Sequence, residues 1–153
     1  HKLIIGDMAP VPYGRHHDSI LKGMLALDGE TISSRAQAAE LMTAYEDNPD
    51  VLNFILTNLR RNEDGDLTWR HGLHEINQDY DEIAKAPSGK PFAGPTLFIK
   101  GGNSDYINAE YREQTAALFP SATVRIIAGT GHWFHAERPE ATVRIVKRFL
   151  SGE

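Results

Sequence analysis

His132 has the surroundings of a histidine that moves protons. It lies in the stretch Gly129-Thr130-Gly131-His132, which follows a short apolar run and precedes a helical pattern that ends at Leu150. The two glycines allow a sharp turn and leave room beside the imidazole. Because an imidazole titrates near neutral pH, a histidine on such a loop can act as a general base or acid. We predict that His132 is catalytic; the alternative is a loop histidine that only hydrogen-bonds nearby backbone.

Two aspartates are candidates to orient this imidazole. Asp7 follows one short apolar run, and Asp105 follows another after Gly101-Gly102-Asn103-Ser104. In a triad of nucleophile, histidine and acid, a buried carboxylate holds the ring and stabilises the imidazolium that forms. The aspartate that is not the acid would cap its loop, for example as an Asx turn at residues 103–105. The two glycines before Asp105 predict a close approach of backbone beneath the acid.

Four segments in register resemble the second half of the α/β-hydrolase superfamily. They are Ile4–Pro10, similar to the end of the sixth strand; Pro95–Tyr106, similar to the seventh strand and its acid loop; Leu118–Pro120, which closes the next helix; and the Gly131-His132 loop after the last strand. Within the superfamily the chain resembles small bacterial esterases of the YbfF type and their mitochondrial relatives. The resemblance implies the α/β class and the C-terminal portion of the α/β-hydrolase fold, with parallel strands, flanking helices and an inserted helical cap.

The resemblance also implies roles for individual residues. Asp7 matches the position at which YbfF-type esterases carry the acid. Asp105 occupies the commoner superfamily position, where those esterases often lack an aspartate. We therefore favour Asp7 as the acid and keep Asp105 as the alternative. Met8, Tyr106 and Trp133 flank the two loops and are predicted to bind substrate, although residues of this kind can equally belong to the core.

The sequence contains no Gly-x-Ser-x-Gly element, on which this superfamily carries its nucleophile, and no cysteine that could replace the serine. The resemblance therefore implies the C-terminal half of a serine hydrolase of carboxylic esters or thioesters, with a Ser-Asp-His acyl-enzyme mechanism. The first half, with the serine, would be a separate or cleaved complementing N-terminal polypeptide or is simply absent here, and this chain alone would be inactive. The alternatives are a non-catalytic binding or regulatory module and other chemistries of the fold, namely carbon–carbon bond hydrolysis or dehalogenation.

The pattern of elements divides the chain into three segments. The resemblance makes residues 1–15 the end of a core strand and the acid loop, residues 16–86 the helical cap, and residues 87–153 the C-terminal part of the hydrolase core. The predicted strands are 2–6, 67–69, 97–100 and 124–127; the predicted helices run from Ser33 or Ser34 to Tyr45, begin at Pro49, and span about 73–84, 109–119 and 139–150. Alternation of strands and helices after Pro95 predicts parallel pairing. The first strand would then have an open edge, which a partner should cover.

Composition excludes several classes of protein. With 153 residues, 41% of them hydrophobic and 24% charged, the chain is ordinary globular material rather than a disordered tail. The net charge of −5 argues against nucleic-acid binding, and no apolar run approaches the roughly 18 residues of a membrane span. The absence of cysteine fits a cytoplasmic location. We predict a small-molecule ester substrate and neither metal nor cofactor, because the pairs His132/His135 and His71/His74 lack further ligands.

Overall fold

The computed structural model describes residues 1–152, and its main sheet consists of three parallel strands. The strands are β1 (Leu3–Gly6), β2 (Leu59–Arg61), β3 (Leu67–Trp69), β4 (Thr96–Gly101) and β5 (Ala122–Ile127). The α-helices are α1 (Asp18–Asp28), α2 (Arg35–Met42), α3 (Pro49–Leu56), α4 (Leu73–Gln78), α5 (Tyr80–Ile83), α6 (Arg112–Leu118), α7 (Phe134–Glu137) and α8 (Pro139–Ser151). A 3₁₀ turn at Ala109–Tyr111 leads into α6.

The chain divides into two units. One unit comprises His1–Pro12 and the chain from Ala86 onward, and the other comprises Tyr13–Lys85. The first contains β1, β4, β5 and helices α6 to α8, and the second contains α1 to α5 and the antiparallel hairpin β2–β3.

In the first unit β4 is the central strand of the order β1-β4-β5. Its register with β1 begins with Leu3 opposite Thr96, and its register with β5 begins with Thr96 opposite Ala122. Five of its six residues are buried, which is typical of a parallel strand covered on both faces. Because all three strands run the same way, the residues that follow their carboxyl ends meet at one edge of the sheet. This topology confirms the predicted α/β class with parallel strands and flanking helices.

Helix α8 covers one face of the sheet. Pro139 stands in its first turn, and Gly152 ends it in the left-handed conformation, with a φ of 84°. Its apolar residues Ala141, Ile145, Val146 and Phe149 pack against a core formed by Leu97, Ile99, Ile127 and Phe134. Lys2 Nζ donates to the carbonyl oxygens of Phe149 and Leu150 at 2.7 and 2.9 Å, which places a cation at the negative end of the helix. On the opposite face Phe98 meets Phe119 edge-on at 5.6 Å.

The second unit has a core of its own. Its fully or nearly buried members come from the helices, from both strands of the hairpin and from the loop before α2: Met24, Leu27, Ile32, Ala38, Met42, Leu52, Ile55, Leu56, Leu59, Leu67, Trp69 and Leu73. Ser34 Oγ accepts from Gln37 N at the start of α2, and Asn48 Oδ1 accepts from Asp50 N at the start of α3. The two ends of the unit are joined by a hydrogen bond from Tyr13 N to Ala84 O at 2.9 Å.

An ion-pair cluster reinforces the junction of these two ends. Arg15 donates to Asp81, Asn77 and Asp18, and its guanidinium lies 4.5 Å from the centre of the Tyr80 ring. Hydrogen bonds to Asp81 and then to Asp18 raise the pKa of Arg15, because both favour the charged form.

Several element boundaries differ from those predicted. The helix expected to reach Tyr45 ends at Met42, where Tyr45 N and Glu46 N both turn back to bond Met42 O. The helix expected over residues 73–84 is interrupted at Asp79. Strand β2 and helix α7 were not predicted, because elements of three and four residues are too short to show a period. Among residues 1–152 no helix has the length and apolar character required to cross a bilayer.

Candidate active site

Asp7 is a fully buried carboxylate at the end of β1. Its exposed fraction is 0%, and its backbone N–H donates to Ile99 O at 2.8 Å. Its φ of 45° lies in the left-handed region, which aspartate tolerates better than most residues but which still costs of order 1 kcal/mol. This turn directs the side chain across the end of β4, where Oδ1 accepts from Gly101 N at 3.0 Å.

The second carboxylate oxygen of Asp7 binds His132. The distance from Asp7 Oδ2 to His132 Nδ1 is 2.9 Å. Because a carboxylate can only accept, we assign the proton to Nδ1, which leaves Nε2 as the unprotonated nitrogen of the neutral ring. The imidazole is 40% exposed, whereas the carboxylate has no contact with solvent. The accessible His132 imidazole is thus hydrogen-bonded to the buried Asp7 carboxylate.

The loop that carries His132 is held by its own backbone and by a helix. Gly129 has a φ of 74°, which reverses the chain after β5. Thr130 is fully buried; its Oγ1 donates to Ile127 O at 2.8 Å, and its carbonyl accepts from Asn103 N at 2.8 Å. Gly131 N donates to Glu137 Oε1 on α7 at 3.0 Å. These bonds fix the backbone on both sides of the imidazole.

The loop after β4 packs directly against the histidine loop. A Cβ atom at Gly101 would lie 1.9 Å from Gly131 O, so only glycine fits at this position. Gly102 N donates to Ile127 O at 2.9 Å. The predicted close approach of backbone at these two glycines is therefore confirmed, and the backbone that they approach is that of the histidine loop. Further along the same loop the Tyr106 ring lies against the His132 imidazole, with 4.2 Å between ring centres and 32° between ring planes.

The structure separates the two candidate acids. Asp105 is exposed and makes no hydrogen bond to His132, whereas Asp7 does. Met8, next to Asp7, is 40% exposed, and Trp133, next to His132, is half-buried at the start of α7. Asp7, His132 and Tyr106 are thus brought together, and the Asp105 carboxylate lies outside this group.

Three supporting contacts were missed by sequence reasoning: the Gly101 amide on Asp7, the Glu137 carboxylate on Gly131 and the stacking of Tyr106 on His132. Of these three, only the contact between Glu137 and Gly131 had a signal in the sequence, namely their separation of six residues across the start of a short helix. Within residues 1–152 no group of three or more potential ligands could hold a metal ion.

The chain is similar in sequence to curated esterases and lipases. The chain is 36% identical to esterase YbfF of Escherichia coli (strain K12) over 98% of its own length and 58% of the esterase. It is 30% identical to the mouse (Mus musculus) sn-1-specific diacylglycerol lipase ABHD11 over 98% of its own length and 51% of the lipase. The chain therefore spans between half and three-fifths of the length of these curated relatives. No protein-family model matches it.

A solved structure described as a marine microorganism esterase superimposes on 97% of the chain, with a TM-score of 0.91 and 30% identity, and the match covers 60% of that esterase. The chain therefore has an α/β-hydrolase fold and is similar to the YbfF-type esterases.

Proposed function

We propose that this chain supplies the general base and the orienting acid of a serine hydrolase that acts on carboxylic esters. The observation that carries the proposal is the hydrogen bond between the buried Asp7 carboxylate and Nδ1 of the accessible His132 ring. Relatives named as esterases and lipases support the same class of reaction. His132 is the catalytic base, Asp7 its orienting acid, and Asp105 has no part in the proton transfer.

The proposed reaction begins when Nε2 of His132 takes the proton of a serine hydroxyl as the oxygen attacks the ester carbonyl. Asp7 holds the ring in the Nδ1–H tautomer and stabilises the imidazolium. The imidazolium then protonates the departing alcohol, which leaves an acyl-serine. His132 next removes a proton from water, the resulting hydroxide cleaves the acyl bond, and the proton returns to the serine.

The nucleophilic serine in this proposal lies outside the 153 residues, on a complementing N-terminal polypeptide. The sequence of the chain supports this, since no Gly-x-Ser-x-Gly element occurs in it. The sheet supports it as well, because β1 is paired with β4 and with no other described strand. On this proposal the chain alone has no esterase activity.

The test is to co-express the chain with the polypeptide encoded upstream of it and to assay p-nitrophenyl esters. We expect activity from the pair, none from the chain alone, and loss of activity in the pair when His132→Ala is introduced. His135→Ala is the matched control, since His135 is also on this segment but packs edge-on against Phe134. A pair that contains a Gly-x-Ser-x-Gly element and hydrolyses nothing would instead indicate a non-catalytic binding or regulatory module.

The substrate is proposed to be a small ester or thioester whose acyl group contacts Met8 and Trp133. Residues 16–86 are proposed to act as the cap that selects the acyl chain. Profiles of acyl-chain length for variants at Met8 and Trp133 would test this assignment. The same panel, extended to carbon–carbon and haloalkane substrates, distinguishes ester hydrolysis from the other chemistries of the fold. The cytoplasmic location stays a prediction, which fractionation of the native cells would test.

A further inference from the structure

The Tyr106 ring occupies one face of the His132 imidazole. The ring centres are 4.2 Å apart and the two planes are tilted by 32°, so the rings pack closely against one another. No atom fits between two rings at this distance, so the face of Tyr106 that meets the imidazole is closed to substrate.

The stack supplies a constraint that the hydrogen bond to Asp7 does not. A single bond from Nδ1 to Asp7 Oδ2 fixes one atom of the imidazole but allows the ring plane to rotate about that bond. An aromatic face packed against the ring limits this rotation, and the direction of Nε2 follows from the two constraints together. The direction of Nε2 decides whether it can reach a hydroxyl proton.

Tyr106 is itself held by the loop that follows β4. Its backbone N–H donates to Ser104 Oγ at 3.3 Å, and Ser104 is buried. Ser104 N donates to Gly101 O at 3.0 Å, and Lys100 Nζ donates to the Ser104 carbonyl. The end of β4 therefore places the Gly101 amide against Asp7, and the loop that follows places the Tyr106 ring against His132.

We propose that Tyr106 is a positioning residue, which sets the plane of the His132 ring and thereby the direction of Nε2. The expected effect of Tyr106 on turnover rests on the proposed hydrolase function, whereas its effect on the orientation of the His132 ring does not. The loop after β4, which carries the acid elsewhere in the superfamily, here holds the base in place instead. The role differs from the substrate contact predicted from sequence, because it acts through His132.

The structural test needs only the chain itself. Nitrogen-15 spectra of the imidazole in wild type, Tyr106→Leu and Tyr106→Phe report which nitrogen carries the proton and whether the ring holds one orientation. We expect a fixed Nδ1–H tautomer in wild type, averaging in Tyr106→Leu, and recovery in Tyr106→Phe, which keeps an aromatic face. Tyr111→Leu, which removes a half-buried tyrosine of the 3₁₀ turn, is the matched control and should leave the spectra as in wild type.

The kinetic test uses the reconstituted pair. Tyr106→Leu should lower kcat about 10- to 100-fold with KM little changed, and Tyr106→Phe should restore most of the loss. A raised KM with kcat unchanged would overturn the proposal in favour of a direct substrate contact. The proposal would also be overturned if the His132 imidazole of Tyr106→Leu kept the wild-type tautomer and a single orientation. It would be overturned as well if the wild-type chain showed no fixed tautomer. If the spectra respond as expected but the pair hydrolyses no ester, the proposed function fails and the positioning role of Tyr106 stands.

Discussion

Asp7 Oδ2 lies 2.9 Å from His132 Nδ1, although 125 residues separate the two in the chain. The parallel register brings the ends of β1 and β5 to the same edge of the sheet, on either side of β4. The Gly101 amide at the end of β4 binds the other oxygen of the carboxylate. Both oxygens of Asp7 are therefore engaged, one by a backbone amide and one by the imidazole.

Replacing Asp7 by Asn should nearly abolish turnover in the reconstituted hydrolase. An amide in place of the carboxylate can present N–H to Nδ1, which favours the wrong tautomer and withdraws the charge that stabilises the imidazolium. By analogy with other triads, kcat should fall about 10⁴-fold. Steady-state kinetics of the Asp7→Asn pair measure this. The matched control is Asp105→Asn, which removes an exposed carboxylate after the neighbouring strand and should cost little. Equal losses in the two variants would refute the assignment of Asp7 as the acid.

Substituting Gly101 by Ala should destabilise the chain by forcing apart the loops after β4 and β5. The added methyl would lie 1.9 Å from Gly131 O, and the atom that it meets is backbone rather than a flexible side chain. Overpacking of this kind costs about 1–3 kcal/mol in the free energy of unfolding. Denaturant unfolding measures the change. Gly29→Ala is the control, because its new methyl would meet nothing within 4 Å. Identical midpoints for the two variants would contradict the close packing of these loops.

The bond between Glu137 and Gly131 should protect one amide on the histidine loop. In Glu137→Ala the Gly131 N–H loses its acceptor, and its hydrogen exchange should accelerate. Glu137→Gln keeps an oxygen at the same place and should retain most of the protection. Since the contact is exposed, the loss of stability should be only about 0.5–1.5 kcal/mol. Hydrogen exchange measured for each amide tests this prediction. Equal exchange rates of the Gly131 amide in wild type, Glu137→Ala and Glu137→Gln would contradict the hydrogen bond.

The sheet and the longer helices were predictable from sequence because each has a local signal. Strands β1, β4 and β5 are apolar runs bounded by Gly or Pro, and α8 has Pro139 at its start and an apolar face. The position of His132 followed from the glycines around it. These features depend on neighbouring residues only.

Which aspartate reaches His132, and which contacts support the histidine loop, depend on the paths of loops in space. Asp7 and Asp105 both follow parallel strands, so local pattern could not separate them. The left-handed turn at Asp7 directs its side chain inward, whereas Asp105 lies exposed. The stacking of Tyr106 on His132 likewise requires the close packing of Gly101 against Gly131, which no periodicity reports.

The open edge of β1 gives a prediction about the complementing polypeptide. Leu3 N donates to Pro95 O and Asp7 N to Ile99 O, so the amides of residues 3, 5 and 7 face β4. By the alternation of a β-strand, the amides of Ile4 and Gly6 face the other way, where no described strand pairs with β1.

Hydrogen exchange should therefore be fast at Ile4 and Gly6 in the isolated chain and slow when the complementing polypeptide is bound. Leu3 and Asp7 are internal controls, because their amides are already bonded to β4 and should be protected in both states. The expected pattern is a gain of protection at alternate residues of one strand, which general stabilisation of the chain would not produce. Uniform slowing along residues 3–7, or no slowing at Ile4 and Gly6, would show that the partner does not add a strand at this edge. The serine would then have to reach His132 by another route than continuation of the sheet.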